Sequence, residues 1–436
     1  MRKVLLLSPH FVPSDLPDMQ RLRVCVEHFR TFGWEPHVLC VDERYIGREV
    51  DDLLEKTIPT DVAVTKVGAL SGLPGLNAIG IRAFRSLGHA GARLLEKERF
   101  DLVFVSTTAF PVMYLARRWG KKYGVPYVLD FQDPWGVFPK EAGQFLRKNL
   151  KSRLVQKLHR VLEGLTVSEA DGLVAVSHRY IETLQENYRV TSKSLVQPIP
   201  FSNRDFEVAG EVAGEVAGEL NGQPNNEPNS ELNKEPNKER QRSEQDQTIR
   251  CVFLGRVPDA MRAQLELLML LVKPKLNQSS AGMPSIRFIG TTYQAGEATN
   301  VSEMVQRYQL EDQIQETRGR ISYLESLAEM KRADVLLLLG SSDTSYLPSK
   351  VTPYLASGRP ILLLANAESQ LFRQLAPCEG VLAIDASSPP GESFDLQKEL
   401  KQLLQVSDYG PRGALEAEEA TGQLVGLFES VCRDEA

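Results

Sequence analysis

The chain has 436 residues, 42% of them hydrophobic and 25% charged, with a formal net charge of −6. It is too long for one core, and domain-size scaling gives roughly two to three domains of about 150–200 residues. An aromatic content of 7% with ordinary Gly and Pro counts excludes collagen-like and wholly disordered classes.

The longest apolar runs, Val4–Leu7, Val335–Leu339 and Ile361–Ala365, fall far short of the ~20 residues a membrane span needs. The apolar start is too short for a secretory signal, and Pro9 ends it. Five cysteines at positions 25, 40, 251, 378 and 432 show no CxxC pair. That pattern predicts free thiols in a reducing cytoplasm rather than a disulfide framework or a zinc site. Charge is unevenly spread: residues 1–202 sum to +6, residues 203–248 to −6 and residues 249–436 to −6. The mildly basic first part suits an anionic partner, but its charge density is too low to predict nucleic-acid binding.

In chain order, β-rich runs are predicted at Lys3–Leu7, Pro36–Val41, Asp61–Val67, Asp101–Val105, Pro126–Asp130, Gly172–Val176 and Ser194–Pro198, with amphipathic helices between most of them. The first helix is predicted over Asp18–Phe32, closed by Gly33. The first strand runs into Ser8-Pro9-His10, with no GxGxxG nearby and no GxxxxGK[ST] anywhere. This argues against a nicotinamide-dependent oxidoreductase or a P-loop NTPase. His10 at that strand end is either a loop histidine bonded to backbone or a ligand contact. Asp130-Phe131-Gln132-Asp133-Pro134-Trp135 follows another strand; Asp130 is placed to cap backbone. Asp133 could accept a proton or grip sugar hydroxyls, or simply belong to a rigid turn. Residues 138–164 carry Lys140, Arg147, Lys148, Lys151, Arg153, Lys157 and Arg160 against Glu141 and Glu163, with apolar residues at helical spacing. This basic amphipathic helix could lie on anionic lipid heads as a peripheral membrane contact, or be an ordinary solvated surface helix.

Residues 203–248 are low in complexity: Glu-Val-Ala-Gly recurs from Glu207, Glu211 and Glu215 before Asn-, Pro- and Glu-rich sequence. A glycine in every repeat argues against a stable helix, so the segment reads as a disordered tether. Beyond it, strands are predicted at Thr248–Leu254, Ser285–Ile289, Asp334–Leu339, Pro360–Leu364 and Gly380–Ile384. Ser322 and Glu325 form a capping-box signature opening a helix to about Arg332, and a last helix covers about Gly413–Cys432. Buried strands alternating with helices predict an α/β fold of two doubly wound, Rossmann-like domains: 1–202, then the tether 203–248, then 249–410, with 411–436 as a final helix. In such sheets ligands bind beyond the carboxyl ends of the strands. Basic groups gather there in the second half: Gly255-Arg256 with Arg262, then Arg318-Gly319-Arg320. Asp343 to Ser349-Lys350 follows, just before a helix over Val351–Ser357. Glycine admits a ligand close to backbone, and paired cations suit a diphosphate.

These stretches together resemble the GT-B fold glycosyltransferases, and within them the retaining, family 4-like enzymes. The similarity runs through Ser8–Pro13, Gly33 to Val38, Asp130–Trp135, Val176-Ser177, Gly255-Arg256, Gly319–Tyr323 and Pro348-Ser349-Lys350 through Gly358-Arg359-Pro360. The resemblance implies two domains facing each other across a cleft, the first binding an acceptor and the second a nucleotide-sugar donor. It implies no metal and no other cofactor, and a final helix that returns to the first domain. Carried over, Arg256 and Arg262 correspond to the basic pair on the donor diphosphate, and Gly319 and Arg320 to the surroundings of the base. Where the family has two glutamates eight positions apart, this chain has Ser345 and Pro353, with Asp343 as the nearest substitute for the first. The first loop has Asp15-Leu16-Pro17-Asp18 in place of the family's glycines. The expected activity is transfer of a sugar from a nucleotide diphosphate to a glycan or lipid-linked acceptor. Catalytically degenerate binding and nucleotide-sugar epimerisation are the alternatives.

Overall fold

The computed structural model of the chain describes residues 1–47, 50–72, 78–137, 150–220, 248–273, 284–292, 299–344, 346–391, 393–406 and 408–433. The described residues form two units, Met1–Arg204 with Leu415–Ala436, and Asp205–Ala414.

The first unit is built on a parallel sheet of seven strands: β1 (Arg2–Leu7), β2 (Trp34–Val41), β3 (Ala63–Val67), β4 (Leu102–Ser106), β5 (Tyr127–Phe131), β6 (Gly172–Ala175) and β7 (Lys193–Val196). They lie in the order β3-β2-β1-β4-β5-β6-β7. The central strands are buried on both faces, Val4–Leu7 and Leu102–Val105 being fully enclosed, as the continuous apolar runs require. Strand order reverses between β1 and β4, so a crevice opens beyond their carboxyl ends. The helix predicted over Asp18–Phe32 is broken. A 3₁₀ turn Pro17–Met19 leads into the helix Gln20–Cys25, and a second 3₁₀ turn, Phe29–Phe32, ends at left-handed Gly33 (φ 80°).

The final helix, Ala417–Arg433, packs within this first unit. Its Phe428 is fully buried in an aromatic nest, 6.0 Å from Phe29, 5.6 Å from Trp34 and 5.2 Å from Phe104 by ring centroids. Gln197, just past β7, donates to the Ala420 carbonyl at 3.0 Å.

The second unit carries six parallel strands: β8 (Arg250–Leu254), β9 (Ser285–Ile289), β10 (Ile314–Thr317), β11 (Val335–Leu339), β12 (Ile361–Ala365) and β13 (Val381–Asp385). Their order is β10-β9-β8-β11-β12-β13, with the reversal between β8 and β11. Ser322 caps the helix Tyr323–Arg332 in a complete capping box with Glu325. β10 was not predicted. Only Ile314 of Ile-Gln-Glu-Thr is apolar and buried, because an edge strand has no continuous apolar run to announce it.

One expectation is corrected. Residues 203–220 do not form a disordered tether but a helix, Asn203–Leu220. Asp205 sits in its first turn, and Asp205, Val208 and Ala209 are buried. Burial of Val208 and Ala209 offsets a glycine cost of about 1 kcal/mol in the first repeat. Residues 221–247 of the proposed tether, 138–149 of the basic helix and Ser345 lie outside the described residues.

Candidate functional site

In the first unit, the loop after β1 brings His10 to the crevice beside β4. Its Nδ1 meets both carboxylate oxygens of Asp18, at 2.9 and 3.0 Å. Asp18 also accepts from Thr107 Oγ1 at 3.0 Å, and from Thr108 N and Oγ1 at 3.1 and 3.2 Å. Burial pushes the Asp18 carboxyl up, but the hydrogen bond and charge of His10, with the Thr108 and Thr107 donors, outweigh it. The net position is below the ordinary carboxylate range, so Asp18 is an anion fixing the orientation of His10. Pro17 in the preceding turn starts the element that carries Asp18.

Asp133 lies past β5, is exposed, and lines a small, partly open cavity with Phe131, Trp135, Glu163, Tyr180 and Thr183. Burial, and then the charge of Asp18, raise its carboxyl above the usual range. Glu163 is raised as well, chiefly by burial, against the pull of the Gly136 amide, the Tyr188 hydroxyl and the Val137 amide. The indole Nε1 of Trp135 is buried without a hydrogen-bond partner. A carboxyl raised above its ordinary range is better suited to give or take a proton than an ordinary surface carboxylate. Asp130 plays a different part from the backbone cap expected of it. It pairs with Arg21 at 2.9 Å, both side chains being fully buried, and accepts from Ser106 Oγ at 2.7 Å. Arg21 also reaches the Gln197 carbonyl at 2.7 Å, so this ion pair ties β5 to the segment after β7.

In the second unit, Gly255 follows β8 with φ 100°. That left-handed conformation is open to glycine and strained for other residues. Its neighbour across the strand-order reversal is Lys350. A Cβ on Gly255 would lie 3.5 Å from Lys350 Nζ. The ammonium donates to the Leu254 carbonyl and sits 3.8 Å from the centroid of the Phe253 ring. Burial alone lowers it from 10.5 to about 7. Tyr354, on the following helix Val351–Ala356, accepts from the Leu254 amide at 3.1 Å and holds that helix to the β8 end. Gly319 beyond β10 is also left-handed (φ 88°), and a Cβ on Gly290 beyond β9 would lie 3.7 Å from its carbonyl. Adjacent strand ends are thus lined by bare backbone next to the half-buried Lys350. Such a crevice can take an anion close to the main chain.

Residues 20–199 match the family model of the glycosyl transferase 4-like domain. No protein of curated function matches the sequence. Among solved structures, the chain is similar to α,α-trehalose 6-phosphate synthase from Burkholderia multivorans, with a TM-score of 0.56, 11% identity and 100% of each chain covered. It is similar to Anabaena HepE solved with UDP and glucose, with a TM-score of 0.51, 14% identity, and 100% of this chain and 99% of the other covered. It is also similar to UDP-GlcNAc 2-epimerase from Neisseria meningitidis bound to UDP-GlcNAc, with a TM-score of 0.50, 14% identity and coverage of 99% and 100%. The chain has a GT-B glycosyltransferase-like fold.

On this GT-B frame, the residues singled out in the sequence separate into two sets. Gly255 and Lys350 are brought together, and Gly319 lies on the same strand-end edge. Arg256 is exposed directly after Gly255, and Ser349 is exposed next to Lys350. Arg262 opens the helix Arg262–Val272, and its guanidinium is taken up by Glu303 at 3.0 Å and Asn300 at 2.8 Å. Arg318 leans back on Glu316 at 3.4 Å. Arg320 is exposed, and so is Asp343, whose amide donates to Ser341 Oγ at 3.1 Å. Sequence reasoning missed Asp18, Thr107 and Thr108 as the surroundings of His10, and Tyr354 as the clamp on β8. The one available signal was the acid directly after Pro17, which marks a first helical turn.

Proposed function

We propose that the protein is a glycosyltransferase that takes a sugar from a nucleotide diphosphate and passes it, with retention, to a hydroxyl of a glycan or lipid-linked acceptor. The observation that carries this reading is the Lys350 side chain, half-buried against Gly255 and Leu254 where the strand order reverses. A diphosphate entering the crevice would meet that cation and bare backbone amides, with Arg256 at its exposed edge. Fixed positive groups stabilise the negative charge that grows on the diphosphate as the anomeric bond breaks. Binding of the anion restores the Lys350 proton that burial has loosened. In the first unit, His10, oriented by Asp18, and Asp133, held toward its protonated form, are assigned to the acceptor hydroxyl and the sugar. The similarity of residues 20–199 to a glycosyl transferase 4-like domain supports the assignment.

A second reading is a binding protein without turnover, and Pro353 favours it. The family's ribose-holding glutamate would stand there, and proline offers no acceptor. A panel of radiolabelled UDP-, GDP-, ADP- and dTDP-sugars separates the readings. Released or transferred sugar supports the transferase, with NMR of the product anomer testing retention. Donor binding without turnover supports the binding protein. A new sugar stereoisomer would replace both with an epimerase.

A further inference from the structure

The helix Leu150–Val167 exposes apolar side chains where a soluble surface helix would present polar ones. Its inner side is satisfied: Glu163 and Thr166 are fully buried, Val167 is buried, and Leu162 packs on the apolar core. On the outer side, Val155, Leu158, Val161 and Leu165 are exposed by 45%, 56%, 52% and 42%. Spacings of three, three and four residues put all four on one stripe.

Cations outnumber carboxylates around this stripe. Lys157 and Arg160 on the same helix are exposed. The helix Met113–Tyr123 packs alongside and exposes Arg118, Lys121 and Lys122, of which Lys122 is paired with Glu96 at 3.0 Å. The one carboxylate within the helix, Glu163, is withdrawn from the surface and held by the Gly136 and Val137 amides and the Tyr188 hydroxyl. Glu169, just past the helix, is spanned by Arg117 at 2.8 Å and Lys121 at 3.0 Å. An apolar stripe edged by cations, with its own acid turned inward, is complementary to acyl chains beneath anionic headgroups. No helix among the described residues is long and apolar enough to cross a membrane, so the contact would be peripheral.

We propose that the exposed face of Leu150–Val167, through Val155, Leu158, Val161 and Leu165 with Lys157 at its edge, docks the protein on an anionic lipid bilayer. The proposal stands apart from the transferase reading, because lipid binding is scored without donor or acceptor. The full chain is sedimented with vesicles of phosphatidylcholine alone and of phosphatidylcholine with phosphatidylglycerol. The parent is expected to pellet with the second and to be released by high salt. Leu158→Ser, Val161→Ser and Leu165→Ser combined should lower the partition coefficient about tenfold or more. Lys157→Glu should weaken it further at low salt, and neither variant should move the melting temperature. No pelleting of the parent, or equal pelleting of parent and triple variant, overturns the proposal. So does light scattering that finds a parent dimer, a monomeric triple variant and no vesicle binding, because the stripe would then be an interface between copies.

Discussion

A lysine that titrates at about 7 in the folded chain and near 10.5 when unfolded makes stability depend on pH in a known direction. Between those values the unfolded state binds more protons at Lys350, so the folded state gains stability as pH rises, and below about 7 the full cost of a buried ammonium remains. Lys350→Met should remove this slope. Denaturant midpoints measured across that range should rise with pH in the parent relative to the variant; parallel curves would mean that Lys350 keeps its proton. Asp133 offers a second test at this scale. Burial and the Asp18 charge hold its carboxyl up, so Asp133→Asn removes a titrating group that the fold does not favour as an anion. Turnover should drop by about 10²–10⁴-fold, in line with a positioned acid or base, while melting changes little. Unimpaired kcat in Asp133→Asn would take Asp133 out of the chemistry.

At the scale of elements, the final helix holds the first unit through Phe428. Replacing a fully buried phenylalanine between three aromatic rings leaves a cavity, and Phe428→Ala should cost about 3–5 kcal/mol in chemical denaturation. A loss under 1 kcal/mol would mean that the helix end is only loosely seated. The helix Asn203–Leu220 gives a smaller test: Val208→Asp buries a charge and should lower the melting temperature, whereas a solvated tether would not respond. The parallel strands were legible in the sequence because burial on both faces leaves continuous apolar runs such as Val335–Leu339. β10 was not, since its polar edge residues resemble loop. The start of the repeat helix was misread because glycine propensity was weighed without the burial of Asp205, Val208 and Ala209. At the site, Gly255 and Lys350 could be found from strand-end position, but their juxtaposition needed the strand order. Asp18 was hidden because its partners Thr107 and Thr108 are about ninety residues away along the chain.

Across the whole molecule, residues 249–436 carry −6, yet an anionic donor is assigned to them. On the proposed reading, net charge does not recruit the donor; the local field of Arg256 and the strand-end amides does. If the donor binds beside Lys350 as proposed, its binding is a proton-linked event. The free protein at about pH 8 holds Lys350 mostly neutral, and a bound diphosphate should return its charge. The decisive measurement is calorimetric titration of the full chain with UDP and the other nucleoside diphosphates at about pH 8, in buffers of different ionisation enthalpy. The account predicts uptake of close to one proton by the parent, with Lys350→Ala taking up none and binding about ten- to a hundredfold more weakly. Equal affinity and equal proton uptake in the two proteins would contradict it and remove the donor site from this crevice.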